Sequence, residues 1–148
     1  MKASKRLQPV VKVTDRREKD AAAALGKVQQ ELENNRQRLV ELKSYRLEYA
    51  SHLSQSQPGQ FSGSKLKDYQ SFLNNLDRAI EQQKQVIVKF EQDYERQKRQ
   101  WLTARNRKKA VNSLLDKHIL AEEKQQERKI QSEVDDRFST QMAKKRDS

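Results

Sequence analysis

The chain has 148 residues, of which 36% are charged and 33% are hydrophobic, and its formal net charge is +11. One domain is expected at this length, but so polar a chain cannot fill a compact globular core. No apolar run approaches the roughly 18 residues of a membrane span, and residues 1–6 lead into no signal-peptide stretch. The absence of cysteine excludes disulfides and thiolate metal sites and fits a cytoplasmic protein.

The first part of the chain repeats apolar residues at alternating spacings of four and three, which is the heptad pattern of a coiled coil. This register runs from Leu7 to Leu53 and predicts a helix over residues 5–53. At ~1.5 Å per residue that helix is roughly 70 Å long. Residues 54–63 then hold Pro58 and two of the three glycines. They predict a loop in which the chain reverses.

A second heptad register runs from Leu66 to His118, and 22 of the 30 a and d positions in the two registers are apolar. Ser64 is the predicted N-cap, and the helix is expected over residues 64–138. Its last turns keep only a sparse apolar stripe at Ile130, Val134 and Phe138, and residues 142–148 are expected to be disordered. The predicted fold is all-α: a single domain formed by a long two-helix antiparallel coiled-coil hairpin, whose second helix is longer and overhangs the first.

The register of the hairpin follows from packing a positions against d positions of the other helix. Pairing Leu53 with Tyr69 makes the numbers of facing residues add up to 122. Ala21 then faces Trp101, so a small side chain lies opposite the largest one. A slip of one heptad places Thr14 against Trp101, which packs less well.

Positive charge is concentrated in two segments, residues 1–20 with a net charge of +4 and residues 95–117 with +6. An antiparallel hairpin brings these segments together at the end away from the loop. Such a basic end attracts an acidic surface or a nucleic acid by electrostatic steering. The alternative is a solvated face that only keeps the protein soluble. The candidate residues of this basic end are Arg96, Lys98, Arg99, Arg105, Arg107, Lys108 and Lys109.

Near the loop, apolar side chains extend beyond the a and d positions. Tyr45, Phe72 and Ala79 all fall at g, and g flanks g in an antiparallel pair, so Tyr45 is expected beside Phe72 or Ala79. An apolar patch wider than helix pairing needs indicates a partner-binding surface. The alternative is that these side chains thicken the core, with Phe61 as a cover. The candidate patch comprises Leu42, Tyr45, Tyr49, Phe72, Leu76 and Ala79.

Residue patterns for catalysis or cofactor binding are missing from the sequence. The two histidines, His52 and His118, are far apart, and no phosphate-binding, dinucleotide-binding or metalloprotease motif occurs. The side chains of adjacent acids such as Glu122 and Glu123 point in different directions on a helix. We expect no enzyme activity, no cofactor and no metal.

The chain resembles the flagellar type III export protein family FliJ, which belongs with the YscO-like stalk proteins, over nearly its full length. The segments that carry the resemblance are residues 7–10, 21–30, 42–49, 69–73 and 76–80, Trp101 and residues 108–109. The resemblance implies a hairpin similar to a rotary ATPase stalk, which engages the centre of the hexameric export ATPase ring and promotes its assembly. It also implies contact with the export gate protein FlhA, handling of export chaperones, and a place at the cytoplasmic face of the inner membrane.

The same resemblance assigns a role to each end of the hairpin. The basic end would enter the ring, and the candidate patch, on the family's hydrophobic cluster, would face the gate. Gln83, at the neighbouring d position, is polar and leaves the extent of the patch open. An alternative function is a basic coiled coil that binds nucleic acid or acts as a structural spacer, with cations such as Lys98 and Arg105 on phosphates.

Overall fold

A computed structural model describes residues 1–55, 59 and 62–146. These residues form two α-helices, α1 (Ala3–Ser54, 52 residues) and α2 (Gly63–Arg146, 84 residues), and within these ranges there is no strand. The predicted all-α class with a longer second helix is therefore confirmed. In the described parts of the chain, neither helix has a stretch that is apolar and long enough to cross a membrane.

The contacts divide the chain into two compact units, each of which pairs a segment of α1 with a segment of α2. The terminal unit is Met1–Lys19 with Thr103–Ser148, and the central unit is Asp20–Leu102. In the terminal unit, Ser4 bonds Glu122 and Asp15 pairs with Lys108. Within each unit early residues of α1 face late residues of α2, so the helices are antiparallel. That the whole chain forms a single domain stays a prediction.

The heptad positions form the seam between the helices. All the a and d residues of both registers are buried or half-buried except Leu66, which is 43% exposed. Among the described residues, the apolar side chains that are most deeply buried are Leu32, Ile80 and Ile87, which are 5–7% exposed. A seam of this kind shields a stripe of each helix and leaves the remaining faces to charged residues, as the composition predicted.

Two polar residues are as deeply buried in the seam as its apolar ones. Gln83 is 7% exposed, and its Nε2 donates to the backbone oxygen and to Oδ1 of Asn35, at 2.9 Å each. Thr14 is 8% exposed, and its hydroxyl donates to the carbonyl oxygens of Val10 and Val11. Because a buried amide without a partner is costly, the Asn35–Gln83 pair disfavours other alignments of the helices.

The observed pairs lie close to the predicted register. The numbers of the ion-paired residues add up to 123 both for Arg46 with Asp77 and for Asp15 with Lys108. For Asn35 with Gln83 they add up to 118. These values lie within about one helical turn of the predicted 122.

The prediction of the N-cap of α2 was wrong by two residues. The helix begins at Gly63, and the hydroxyl of Ser62, not that of Ser64, accepts a hydrogen bond from the backbone N–H of Lys65 at 3.3 Å. The carbonyl of Ser62 also accepts the first turn's bond from Leu66. Ser62 and Ser64 are both good caps, and the sequence alone does not rank them. Gly59 between the helices has a φ of 82°, a conformation that glycine adopts without strain.

The C-terminal end of α2 also differs from the prediction. Helix was expected to residue 138 and disorder from residue 142, but α2 continues to Arg146. Its last residues include Met142, Ala143 and three cations, which are good helix formers and favourable charges at a helix C-terminus. The predicted disorder of the last two residues and the predicted cover by Phe61 lie outside the described residues.

The register can be tested with paired cysteines in the central unit. Ala21→Cys with Trp101→Cys should form a disulfide on mild oxidation, because both positions lie in the seam and face each other in this register. Val28→Cys with Trp101→Cys is the matched control, since it is one heptad out of register and shares the loss of tryptophan. Gel mobility of dilute, oxidised protein measures the cross-link. Equal cross-linking of both pairs would refute the register.

Candidate functional site

An aromatic cluster, formed by Tyr49, Tyr69 and Phe72, lies in the central unit, close to the end of α1 and the beginning of α2. Tyr49 occupies a seam position, and its ring centroid is 4.6 Å from that of Phe72 and 5.9 Å from that of Tyr69, with tilted planes. The His52 ring lies 6.3 Å from the Tyr69 ring. Tilted pairs at such distances are favourable aromatic contacts. The cluster therefore joins α1 to α2 where the chain reverses.

The candidate patch is partly seam and partly surface. Its members Leu42, Leu76 and Ala79 are half-buried, whereas Tyr45 is 57% exposed and Phe72 is 41% exposed. The Phe72 ring packs against Tyr49, and the placement of Tyr45 beside Phe72 or Ala79 stays a prediction. Tyr45 lines a shallow concavity of about 480 Å³ together with Glu48, Tyr49, His52 and Tyr69.

A second concavity, of about 170 Å³, lies on the same cluster and is lined by Tyr49, Asp68, Tyr69 and Phe72. Tyr49 and Tyr69 therefore line both hollows, and the lining of each also includes one acidic residue, Glu48 or Asp68. The sequence did not assign Tyr69 or His52 to the patch. A signal was present for His52, because it falls at g like Tyr45 and Phe72.

An ion pair between Arg46 and Asp77 lies beside the cluster. The guanidinium donates through Nε to Oδ1 of Asp77 and through Nη2 to Oδ2, the latter at 3.4 Å. The hydrogen bonds from Arg46 lower the pKa of Asp77 below its ordinary value, and those to Asp77 raise the pKa of Arg46. Arg46 occupies an a position of the seam, so this two-pronged contact holds α1 and α2 in register next to the patch.

The cations predicted to form the basic end divide between the two units. Arg96, Lys98 and Arg99 belong to the central unit, and Arg105, Arg107, Lys108 and Lys109 belong to the terminal unit. All of these side chains are exposed except Lys108. Arg96 pairs with Asp93 at 2.6 Å, and Arg99 and Arg105 also take part in interactions within the chain.

Lys108 is a seam residue with a structural role. Its Nζ lies 3.0 Å from Oδ1 of Asp15 and 3.7 Å from Oε2 of Glu18. The hydrogen bond to Asp15 raises the pKa of Lys108, and the bonds from Lys108 and Lys19 lower the pKa of Asp15. Lys108 thus bridges α2 to two acids of α1. The sequence grouped it with the surface cations because the heptad pattern does not reveal which acids face it.

Glu122 fastens the beginning of α1 to α2. Its Oε1 accepts a hydrogen bond from the backbone N–H of Ser4 at 3.1 Å, and its Oε2 accepts one from the Ser4 hydroxyl at 2.6 Å. These bonds lower the pKa of Glu122, and a carboxylate is favourable at a helix N-terminus. The sequence analysis missed this contact, although Glu122 is the next heptad position after His118.

The described residues contain no group of three or more His, Asp or Glu side chains that is placed to hold a metal ion. What the arrangement offers is contact surface: an aromatic cluster with two shallow hollows in the central unit, and exposed cations along α2. Both features suit the binding of other macromolecules.

A family model described as "Flagellar FliJ protein" matches residues 3–148. The chain belongs to the FliJ family. A Flagellar FliJ protein from Salmonella typhi is 26% identical over 115 residues, which cover 75% of this chain and 78% of that relative. Membership in FliJ makes the chain a component of flagellar protein export and flagellum biogenesis. The family resemblance drawn from the sequence is confirmed.

The interhelical contacts of this FliJ-family chain predict a loss of stability in acid. Asp15, Asp77 and Glu122 have lowered pKa values, against ordinary values of 3.8, 3.8 and 4.5. Their contribution is therefore present above the ordinary pKa and is lost as the pH falls through the lowered one. We expect the melting temperature to fall steadily from about pH 5 to about pH 3.

A pair of variants isolates this effect from the general repulsion of a cationic chain. Asp77→Asn should have a lower melting temperature at neutral pH and a flatter acid dependence than the natural chain. Asp116→Asn, an exposed aspartate of α2, should keep the natural acid dependence. Circular dichroism melts across this pH range measure both. An unchanged acid dependence in Asp77→Asn would show that the Arg46 pair does not contribute.

Proposed function

We propose that this chain is a non-enzymatic, stalk-like part of the flagellar type III export apparatus that engages the centre of the export ATPase ring. In this role it promotes assembly and activity of the ring, contacts the gate protein FlhA and escorts export chaperones. The observation that carries the proposal is the family match over residues 3–148 in a chain that forms two antiparallel helices. Its place is the cytoplasmic face of the inner membrane, reached through its partners.

Engagement of the ring is supported by the surface cations of the terminal unit. Arg105, Arg107 and Lys109 are exposed on α2, and the sequence concentrates net positive charge in this region. Exposed cations steer an acidic partner surface over several ångströms and are screened by salt. Lys108 is left out of this set, because it holds Asp15 and Glu18.

Contact with the gate is supported by the aromatic cluster and Tyr45. Tyrosine is among the residue types that most often dominate binding energy at protein interfaces, and Tyr45, Tyr49 and Tyr69 line a shallow hollow here. The Arg46–Asp77 pair holds the two helices in register beside them. We assign the gate-facing role to this surface of the central unit.

A nucleic-acid-binding function is the competing proposal, and it rests on the same cations. Trp101, the aromatic residue within the basic segment, is half-buried at a seam position, so it is poorly placed to stack on bases. Retention on duplex DNA at physiological salt, together with failure to stimulate the ATPase, would favour this competing function.

The ring proposal predicts a specific effect of charge reversal. Changing Arg105, Arg107 and Lys109 to Glu should weaken stimulation of the export ATPase by about tenfold or more at low salt, because steering becomes repulsion. The matched control changes Lys65, Lys67 and Arg78, three exposed cations of the central unit, by the same charge. It should leave stimulation nearly unchanged.

Lys108→Glu provides a second comparison for the ring assay. It brings a third acid to Asp15 and Glu18 in the seam, so it should lower the melting temperature by more than the surface triple variant, which loses the interaction of Arg105 on the exposed face of α2. Circular dichroism is recorded with the ATPase assay. If the folded triple variant stimulates the ring fully, this surface does not engage the ring.

The gate proposal predicts that Tyr45→Ala weakens binding to the gate protein without a change in melting. An interface aromatic that contributes about 2 kcal/mol corresponds to roughly thirtyfold in affinity. Leu47→Ala is the matched control, because Leu47 is an apolar α1 residue that is 71% exposed and lies off the patch. Phe72→Ala should reduce both binding and melting temperature, since Phe72 packs on Tyr49. Equal gate affinity of the Tyr45 and Leu47 variants would refute the assignment.

A further inference from the structure

The last part of α2 carries an apolar stripe that nothing in the described chain covers. Ile130, Val134, Phe138 and Met142 recur every four residues and are 51%, 52%, 64% and 45% exposed. Every residue from 123 to 146 is exposed, whereas Glu122 just before them still contacts Ser4 of α1. Steps of four residues turn about 40° past a full helical turn, so all four side chains lie on one broad face.

The apolar residues of this face are placed symmetrically about Asp136. Val134 and Phe138 lie two residues on either side of it, and Ile130 and Met142 lie six residues on either side. Apolar residues therefore correspond to apolar residues when the segment is reversed about this point.

The same reversal relates the polar residues of the face. Gln131 corresponds to Gln141, and Glu127 corresponds to Lys145. Glu127 and Lys145 are 18 residues apart, which is about five full turns, so they share one line along the helix. That line runs down the middle of the apolar stripe, so Glu127 and Lys145 place opposite charges at its two ends.

We propose that this segment of α2 pairs with the same segment of a second copy of the chain, antiparallel and centred on Asp136. Val134 then packs against Phe138 of the second copy, and Ile130 packs against its Met142. Glu127 of each copy faces Lys145 of the other. Lys145 also takes part in an interaction within its own chain, and the pairing requires only that its charge lies on this face.

Charge selects the antiparallel orientation over the parallel one. A parallel pair in register would place Lys145 beside Lys145 and Glu127 beside Glu127, and like charges at such positions are destabilising. Asp136, on the symmetry point, lies on the helix face opposite the stripe, so the two copies of this acid do not approach each other.

The size of the surface sets the strength of the association. The segment from Glu127 to Lys145 spans roughly 27 Å of helix. Two such segments bury less than the about 1,200 Å² of a typical stable interface, so the dimer should form at micromolar or higher concentration. The proposal is independent of the ring and gate functions, because it requires no other protein.

Analytical ultracentrifugation of the full chain, from low micromolar to submillimolar concentration, tests the proposal through charge exchange. Glu127→Lys and Lys145→Glu should each weaken self-association about tenfold, because each replaces two attractions per dimer with repulsions. The double variant Glu127→Lys, Lys145→Glu should regain the natural affinity. An equimolar mixture of the two single variants should also associate, since each supplies the charge that the other needs.

Neighbouring residues off the stripe provide matched controls. Lys144→Glu and Glu133→Lys make the same charge changes on other faces of the helix and should leave association unchanged. Phe138→Ala should abolish it while circular dichroism shows unchanged helicity. A chain that stays monomeric throughout, or a double variant that does not recover, overturns the proposal. If Phe138→Ala instead lowers ATPase stimulation by a monomeric chain, the stripe binds another protein and the proposal is wrong.

Discussion

The contact on which the register of the central unit most depends is the amide pair of Asn35 and Gln83 in the seam. Few apolar side chains are deeply buried in this seam. Several alignments of the heptads would therefore pack about equally well, because leucines meet leucines at every repeat. The amide pair breaks this degeneracy. In a slipped alignment the buried amide of Gln83 would lose its partner at a cost of about 1–3 kcal/mol. Burial thus makes the helices associate, and hydrogen bonding determines where they do so.

Whether a charged residue is available to partners depends on whether it is already engaged across the seam. Lys108, Arg46 and Glu122 lie in or beside the seam and are engaged by groups of the other helix. Such half-exposed contacts add little stability individually, but they align the helices because each has a defined geometry. The exposed cations nearby, such as Arg107 and Lys109, lie off the seam and contribute long-range electrostatic attraction. The heptad position separates Lys108 from these neighbours in the same basic segment, but it does not show that Lys108 is paired with Asp15 and Glu18.

Heptad periodicity was sufficient to predict the seam, because it is a local property of each helix: a residue's place in the repeat determines the face on which it lies. Leu66 was the exception, in the first turn of α2. Individual contacts with the opposite helix were not predicted, because they depend on side-chain geometry as well as on the repeat. Examples are the pairing of Lys108 with Asp15, the cap that Glu122 provides to Ser4, and the packing of Phe72 on Tyr49. The C-terminal end of α2 was placed too early because the polar composition of residues 142–146 was read as disorder, although their helix propensities are high.

The exposed end of α2 has a further consequence for how protection from solvent varies along one helix. The side chains of Ile80 and Ile87 are buried in the seam, so we expect the backbone amides around them to open only when the central unit opens. Residues 123–146 are all exposed and belong to a stretch of α2 that no other described segment covers. Lone helices of that length are marginal in water, so this stretch opens locally and often. A single unbroken helix therefore contains both slowly and rapidly exchanging amide hydrogens. A partner that binds this end therefore uses part of its binding free energy to keep those turns helical.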